Sequence, residues 1–322
     1  MVFLGVLDTN AFIVGENLDY DVHLQGLFPT ASILNHSCSA NTSFFPSDNY
    51  VFACRAVQNI EKGEELTTNY LHFQYHYFGS TYRQNQLEKV WHFKCDCLRC
   101  KNRTDFGLFT DGLLCNNCLN GIIIPLKIKE GYNWVCCDCS QLKSSEVTRT
   151  ILDKWWNIIE QTSRYDIALL NQLLLEAEKV FYKNHYCILE IKRRIIENIG
   201  ETNGNTYEHL AEVWLDKKVI FCQDHLKIQE QLAPGLSKYR AYISFHIAEP
   251  LYWLTNKRYA AKQCSEKELH DTMEQIAEHL LVVIQIWGPY RLGSGERLKA
   301  ENARNLLEMV NDMYLHHKYE QI

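Results

Sequence analysis

The sequence predicts an α+β chain made of two unlike parts. The first is a β-and-loop part with cysteine-rich loops, and the second is all-helical and loosely tetratricopeptide-like. Three observations carry this. Short alternating runs and turn residues fill residues 1 to about 70. Eight cysteines then crowd into residues 95–139. From about Ser145 closely spaced cysteines stop, glycines thin out and a 3.6-residue apolar period sets in.

At 322 residues the chain is long enough for two parts with cores of their own. Apolar content of 46% and charged content of 22% are those of a globular protein. A net charge of −6 argues against a general nucleic-acid-binding surface, so no direct nucleic-acid binding is expected. Met1 to Leu7 is apolar without a basic leader, and Asp8, Thr9 and Asn10 interrupt it, which makes a poor signal peptide. The apolar run Leu280 to Trp287 is too short to span a bilayer. The expectation is a cytoplasmic or nuclear protein with no membrane partner. In a reducing compartment thirteen cysteines do not read as a disulfide framework, and their clustering suits metal sites.

Taken in order, Pro29 to Cys38 (Pro-Thr-Ala-Ser-Ile-Leu-Asn-His-Ser-Cys) packs Ser32, Asn35, His36, Ser37 and Cys38 into one short run. Such a density of donors and acceptors demands a hydrogen-bond network or a polar ligand. Asn49 to Val57 alternates as a strand, with Tyr50, Phe52, Cys54 and Ala56 on one face. Asn59 to Glu64 reads as a turn in which Gly63 is free to take a positive φ. Glu65 to Tyr70 reads as a second strand that presents Tyr70 at its end, and residues 80–93 read as a helix. Farther on, Ile167, Leu170, Leu174, Ala177 and Phe181 mark one helix face. Breaks fall at Gly200 to Asn205, Pro234-Gly235, Gly288-Pro289 and Gly293 to Gly295, and typical helix lengths give roughly seven or eight helices over residues 145–322.

Cys95, Cys97 and Cys100 place three thiols within six residues, and a structural zinc takes four. Read from the residues alone, Cys38 is either that fourth ligand or a small buried hydrophobe. Cys115-x-x-Cys118 and Cys136-x-x-Cys139, with 17 residues between Cys118 and Cys136, have the spacing of a four-cysteine zinc ribbon. Ile122 to Ile128 and Tyr132 to Val135 can pair there as a hairpin. Cys137 is the spare thiol, able to replace Cys136 if the knuckle shifts.

Asn35-His36-Ser37-Cys38, then Gly63-Glu64-Glu65-Leu66-Thr67 ending in Tyr70, then Cys95-x-Cys97-x-x-Cys100 resemble the SET domain and its post-SET zinc loop. The variety resembled is that of the SET- and MYND-domain lysine methyltransferases. The resemblance implies a partial SET β-fold at residues 1–79, a post-SET loop at 80–104, a four-cysteine zinc-ribbon-like insertion at 105–144 and a helical C-terminal domain at 145–322. It implies transfer of methyl from S-adenosylmethionine to a lysine of a histone or non-histone protein, a chromatin-regulating chemistry. Tyr70 takes the position of the family's channel tyrosine, which read alone would be a core aromatic. Asn10, Ser32, Asn35, His36 and Phe93 stand at cofactor-contacting positions, and Phe12 and Trp91 at the walls of the lysine channel. Cys38 joins Cys95, Cys97 and Cys100 on a first structural zinc. The second zinc falls to Cys115, Cys118, Cys136 and Cys139. A partner peptide on the helical domain is the further expectation.

The sequence shows no Gly-x-Gly near its start and no eight-ligand MYND pattern. The expectation is therefore a chain that starts inside the family's architecture, as a fragment or a degenerate paralogue, with catalysis weakened or absent. The competing class is a non-catalytic, zinc-stabilised interaction scaffold.

Overall fold

The computed structural model describes residues 2–17, 22–118, 120–128, 131–200 and 206–319. It opens on a helix, α1 (Val2–Asn10), where short β elements were expected. An apolar run serves either state, and in the helix two side chains bond four residues back. Thr9 Oγ1 donates to the Gly5 carbonyl and Asn10 Nδ2 to that of Val6. The chain then makes an antiparallel pair, β1 (Ala11–Asn17) with β2 (Val22–Leu27).

A one-turn 3-10 helix at Ala31–Ile33 leads into β3 (Asn35–His36). Next come β4 (Thr42–Pro46) and β5 (Phe52–Ala56), paired antiparallel around a turn in which Asn49 takes φ 59°. The predicted alternation in β5 is present, but Cys54 and Ala56 end exposed. The opposite face meets the helices instead, where Arg55 donates to the carbonyls of Gln285 and Ile286 at 2.9 and 3.1 Å. The second predicted strand shrinks to β6 (Thr67–Thr68), and Gly63 does take φ 91° in the turn before it.

Helix α2 (Ser80–Trp91) matches the predicted helix, and a single turn, α3 (Leu98–Lys101), carries the last cysteine of the triplet. The start of α2 is capped from a distance. Asp111 accepts from Ser80 Oγ, Thr81 N and Thr81 Oγ1 at 2.9, 3.3 and 2.6 Å. Gly79 is required there, because a Cβ would collide with the Asp111 carboxylate.

The cysteine-rich insertion is a four-stranded sheet in the order β10 (Leu142–Lys143), β9 (Tyr132–Cys136), β8 (Ile122–Lys127), β7 (Leu113–Leu114). The predicted hairpin is β8–β9. The sheet is joined to the helices by backbone: Leu114 N–H donates to Val180 O, and Tyr182 N–H to Gly112 O, both at 2.9 Å.

Seven helices follow among the described residues: α4 (Ser145–Gln161), α5 (Ile167–Ala177), α6 (Tyr186–Asn198), α7 (Glu212–Leu232), α8 (Lys238–Ala260), α9 (Glu266–Trp287) and α10 (Gly295–Tyr319). Caps are written into the sequence. Ser144, Asp166 and Ser237 accept from the third residue onward, and Ser265 with Glu268 closes a capping box. The predicted breaks at Pro234-Gly235 and 288–295 are present, whereas residues 201–205 lie outside the described residues. Three breaks were not predicted: between α4 and α5, between α5 and α6, and between α8 and α9, where Lys262 turns the chain with φ 59°. Conversely, Pro250 stands inside α8 without ending it. No helix among the described residues is long and apolar enough to cross a membrane.

One apolar core runs from Phe45 through Tyr77, Phe78, Leu113 and Ile123 into all seven helices, so the insertion and the helices share their interior. A second, small cluster gathers Cys38, Leu71, Leu87 and Cys95, with Tyr70, Trp91 and Phe93 packed against it. At the seam, Tyr77 donates from its hydroxyl to Glu190 Oε2 at 2.7 Å. Glu190 is further held by Arg193 and Arg194.

Candidate functional site

Ser32 Oγ lies 3.0 Å from the Phe28 carbonyl and 3.1 Å from that of Asn10, so one hydroxyl ties the turn to the end of α1. β3 runs parallel to β6 in the register Asn35 with Thr67 and His36 with Thr68. That pairing brings the two motif strings side by side. Asn41, buried and not singled out from the sequence, locks the register. Its Oδ1 accepts from Thr67 N at 2.9 Å while its Nδ2 donates to Glu64 Oε1 at 3.0 Å and the Glu65 carbonyl at 2.9 Å.

Tyr70 leaves β6 and closes on β3 at two points. Its N–H donates to His36 Nδ1 at 3.0 Å, and its hydroxyl donates to the Leu34 carbonyl at 2.7 Å. Ring centroids of His36, Trp91 and Phe93 lie 5.3, 5.5 and 6.2 Å from that of Tyr70. His36 and Phe93 are 5.9 Å apart. Asn35 stands exposed at the rim, its Nδ2 donating to Glu65 Oε1 at 2.7 Å. Phe12 goes elsewhere, with Phe28, Phe44 and Phe52 at 6.3, 5.5 and 4.7 Å. Among the described residues no ring contact joins that group to Tyr70. Asn10 turns its amide to the Thr9 hydroxyl and the Val6 carbonyl.

Burial keeps the Tyr70 phenol above its ordinary pKa, so it is neutral at physiological pH. Burial also lowers His36 to about 4, Arg83 adding to it and Cys97 opposing it.

Beneath the aromatic group the sulfurs of Cys38, Cys95, Cys97 and Cys100 all lie within 4.8 Å of one another. Cys38 and Cys100 are 3.5 Å apart. A disulfide needs about 2.05 Å, whereas tetrahedral zinc with bonds of about 2.3 Å spaces its sulfurs about 3.8 Å apart. The surrounding charge agrees. Arg83 and Arg99 are both fully buried, and they share one carboxylate. Asp105 takes Arg99 through two bonds of 2.7 and 2.8 Å and stands 3.5 Å from Arg83. Arg83 Nη2 then reaches Cys100 Sγ at 3.7 Å. One buried guanidinium is left over, and an anionic cluster of four thiolates on a divalent cation would balance it. Hydrogen bonds among the sulfurs, that of Cys100 first, pull the Cys97 thiol far down and push Cys95 far up. Four thiolates therefore need a cation to coexist. The cluster fits zinc.

The second cluster pairs Cys115 with Cys139 at 3.7 Å and Cys118 with Cys136 at 3.6 Å. It is built as a knuckle, with Cys115 N–H on the Gly121 carbonyl and Asn117 N–H on Cys115 Sγ. Gly121 has no substitute: a Cβ would collide with the sulfurs of Cys136 and Cys118. Cys137 is exposed and outside the cluster. Hydrogen bonds from Asn117 and Gln141 lower Cys139 to about 6, and burial first raises Cys118 to about 12. This cluster, too, fits zinc.

Two clefts lie away from Tyr70. One of about 440 Å³ is bounded by α2, the β8–β9 hairpin and α4; the other, of about 300 Å³, carries Lys143, Lys154 and Lys179 around Trp155. Arg83 and Asn41 escaped the sequence because their partners Asp105 and Thr67 lie more than twenty residues away, and Arg99 with Asp105, six residues apart, because no motif spacing marks the pair.

The SET domain family matches residues 6–71, a span that holds Asn10, Ser32 to Cys38 and Tyr70 and stops before Trp91. The chain is similar to SET domain-containing protein SmydA-8, isoform A, of Drosophila melanogaster, at 30% identity over 213 residues. That is 63% of this chain and 45% of that protein. It is similar to histone-lysine N-methyltransferase ASHR1 of Arabidopsis thaliana at 30% over 241 residues, 71% of this chain and 47% of the relative. A shorter stretch of 78 residues, 24% of this chain and 17% of the relative, is 42% identical to histone-lysine N-methyltransferase SMYD3 of Homo sapiens. The chain spans under half the length of these curated relatives.

Proposed function

We propose that this chain, a SET-domain protein of the SET- and MYND-domain type, transfers methyl from S-adenosylmethionine to the side-chain amine of a protein lysine. The observation that carries the reading is the convergence of Tyr70, His36, Trp91 and Phe93 above the first cysteine cluster. When bound, the cofactor would supply a methyl group on a sulfonium, an electrophile that leaves as a neutral thioether. The exposed Asn35, whose amide oxygen has no partner among the described residues, and the ring of Phe93 are the groups available to hold it. Ser32 and Asn10 would act by shaping the turn beneath, since their side chains bond within the chain.

The amine must arrive neutral, because an ammonium has no lone pair. Trp91, Phe93 and the Tyr70 ring form an apolar wall that excludes water and disfavours the charged amine. Because the Tyr70 O–H already donates to Leu34, its oxygen lone pairs are left to accept from an amine N–H and aim the nitrogen. Zinc at each cluster would hold the loops that carry Phe93 and the β8–β9 hairpin. The division into 1–79, 80–104, 105–144 and 145–322 belongs to the same reading, with a histone or non-histone substrate met in cytoplasm or nucleus.

A second reading, a zinc-stabilised scaffold that binds a partner without chemistry, draws on Phe12, which stands apart from the Tyr70 rings. The test is methyl incorporation from labelled cofactor into histones and a lysine peptide array by the full chain. Incorporation that falls about a hundredfold or more in Tyr70→Phe supports the enzyme. Peptide capture without incorporation, unchanged in Tyr70→Phe, supports the scaffold.

A further inference from the structure

His36 stood in the sequence as a cofactor contact, yet both of its ring nitrogens are engaged inside the chain. Nδ1 lies 3.0 Å from the Tyr70 amide nitrogen, and Nε2 lies 3.3 Å from Cys38 Sγ. A backbone N–H can only donate, so Nδ1 is an acceptor and carries no proton. An imidazole without a proton on Nδ1 carries it on Nε2, and that N–H points at the sulfur. The alternative, a Cys38 thiol donating to Nε2, would leave the ring with no proton at all. Geometry alone thus settles tautomer and direction: Tyr70 N–H to His36, then His36 N–H to Cys38.

We propose that His36 is a positioning residue that couples the first metal centre to Tyr70, donating its Nε2–H to the metal-bound sulfur of Cys38 while its Nδ1 fixes the backbone from which the Tyr70 ring rises. Donation to a metal thiolate draws charge from the sulfur, makes it harder to protonate and slows its departure from the metal. At the other end the bond sets where Tyr70 begins, two residues beyond the short β3–β6 ladder. The ladder is only two residues long, so this side-chain bridge carries registry that a longer sheet would supply by itself. The metal half stands on its own; only the role given to Tyr70 rests on the methyl-transfer reading.

Two isosteres divide the bridge. His36→Asn places an acceptor near the Nδ1 position and has nothing at Nε2, while His36→Gln reaches toward Cys38 and lacks the Nδ1 acceptor. Zinc release from the full chain to a metallochromic chelator is followed in both, with the four-cysteine ribbon as an internal control. We expect His36→Asn to release one zinc about tenfold faster with the other unchanged, and His36→Gln to restore slow release. The Tyr70 amide resonance should move in His36→Gln and hold in His36→Asn. Wild-type rates for both zincs in His36→Asn, or acceleration of both together, would overturn the proposal. Should the variants not fold, the imidazole nitrogen shifts of wild-type protein decide: a proton on Nε2 supports the bridge, and a proton on Nδ1 refutes it. Absence of methyl transfer in wild type would remove the methyl-transfer reading and leave the metal result standing.

Discussion

Glu190→Gln tests what joins the helices to the rest of the chain. Glu190 is 4% exposed and accepts four bonds of 2.7 to 2.8 Å, from Tyr77 Oη, Arg193 Nε and Nη2, and Arg194 Nε. Burial alone would raise its pKa. Arg193, with the hydrogen bonds from Arg193, Arg194 and Tyr77, outweighs burial and holds the carboxyl at about 2, against an ordinary 4.5. A pKa depressed on folding contributes stability that is fully present above pH 4.5 and is lost as pH falls toward 2. The difference corresponds to about 3 kcal/mol. Glutamine keeps the shape and removes the charge, while Arg193 retains Glu197 at 2.6 Å and is not orphaned. The expected loss is therefore about 3 kcal/mol at pH 7, at the lower edge of what a broken buried pair costs. Urea denaturation followed by helical circular dichroism, wild type beside variant at pH 7, 5 and 3.5, measures it. The gap between the two should narrow below pH 4.5. A loss under about 1 kcal/mol, or a gap that is the same at every pH, would refute the reasoning.

Elemental analysis should find two zincs per chain, one remaining in Cys97→Ser and one in Cys118→Ser; a wild-type count of one or none counts against both sites. Gly121→Ala should cost the ribbon zinc alone, because its methyl displaces two sulfurs, and an unchanged metal content would show that the knuckle yields. Arg83→Gln should weaken zinc at the first cluster by about tenfold to a hundredfold while sparing the second, as read by competition with a chelator. Equal affinities would show that the buried guanidinium does not balance the thiolates.

What the sequence disclosed was local. The Cys-x-x-Cys spacings, the hairpin between them, the onset of helix at Ser145 and the Pro234-Gly235 break each need only a few neighbouring residues, and each is present. Cys38 was different. Its place beside a triplet more than fifty residues away came from family resemblance, and spacing alone left it open. The partners of Arg83 and Asn41 were invisible because they are set by how distant loops meet. The helix at Val2–Asn10 was misread because an apolar run has no period to distinguish strand from helix. Lys262 turns the chain without glycine or proline, so no breaker announced it.

The β4–β5 hairpin is gripped by the turn between α9 and α10. Phe45 stacks on Tyr290, Pro46 accepts from Arg291 N–H, Asp48 accepts from Leu292 N–H, and Arg55 reaches the end of α9. On the ribosome these partners are made far apart in time. Both cysteine clusters are complete once Cys139 has emerged, but the hairpin must wait for residue 292. At synthesis rates of about 5 to 20 residues per second, that interval is on the order of ten to thirty seconds. Until then the hairpin's helix-facing side is an unmatched sheet surface. The order of synthesis thus completes the cysteine clusters first and the hairpin's ring of contacts last.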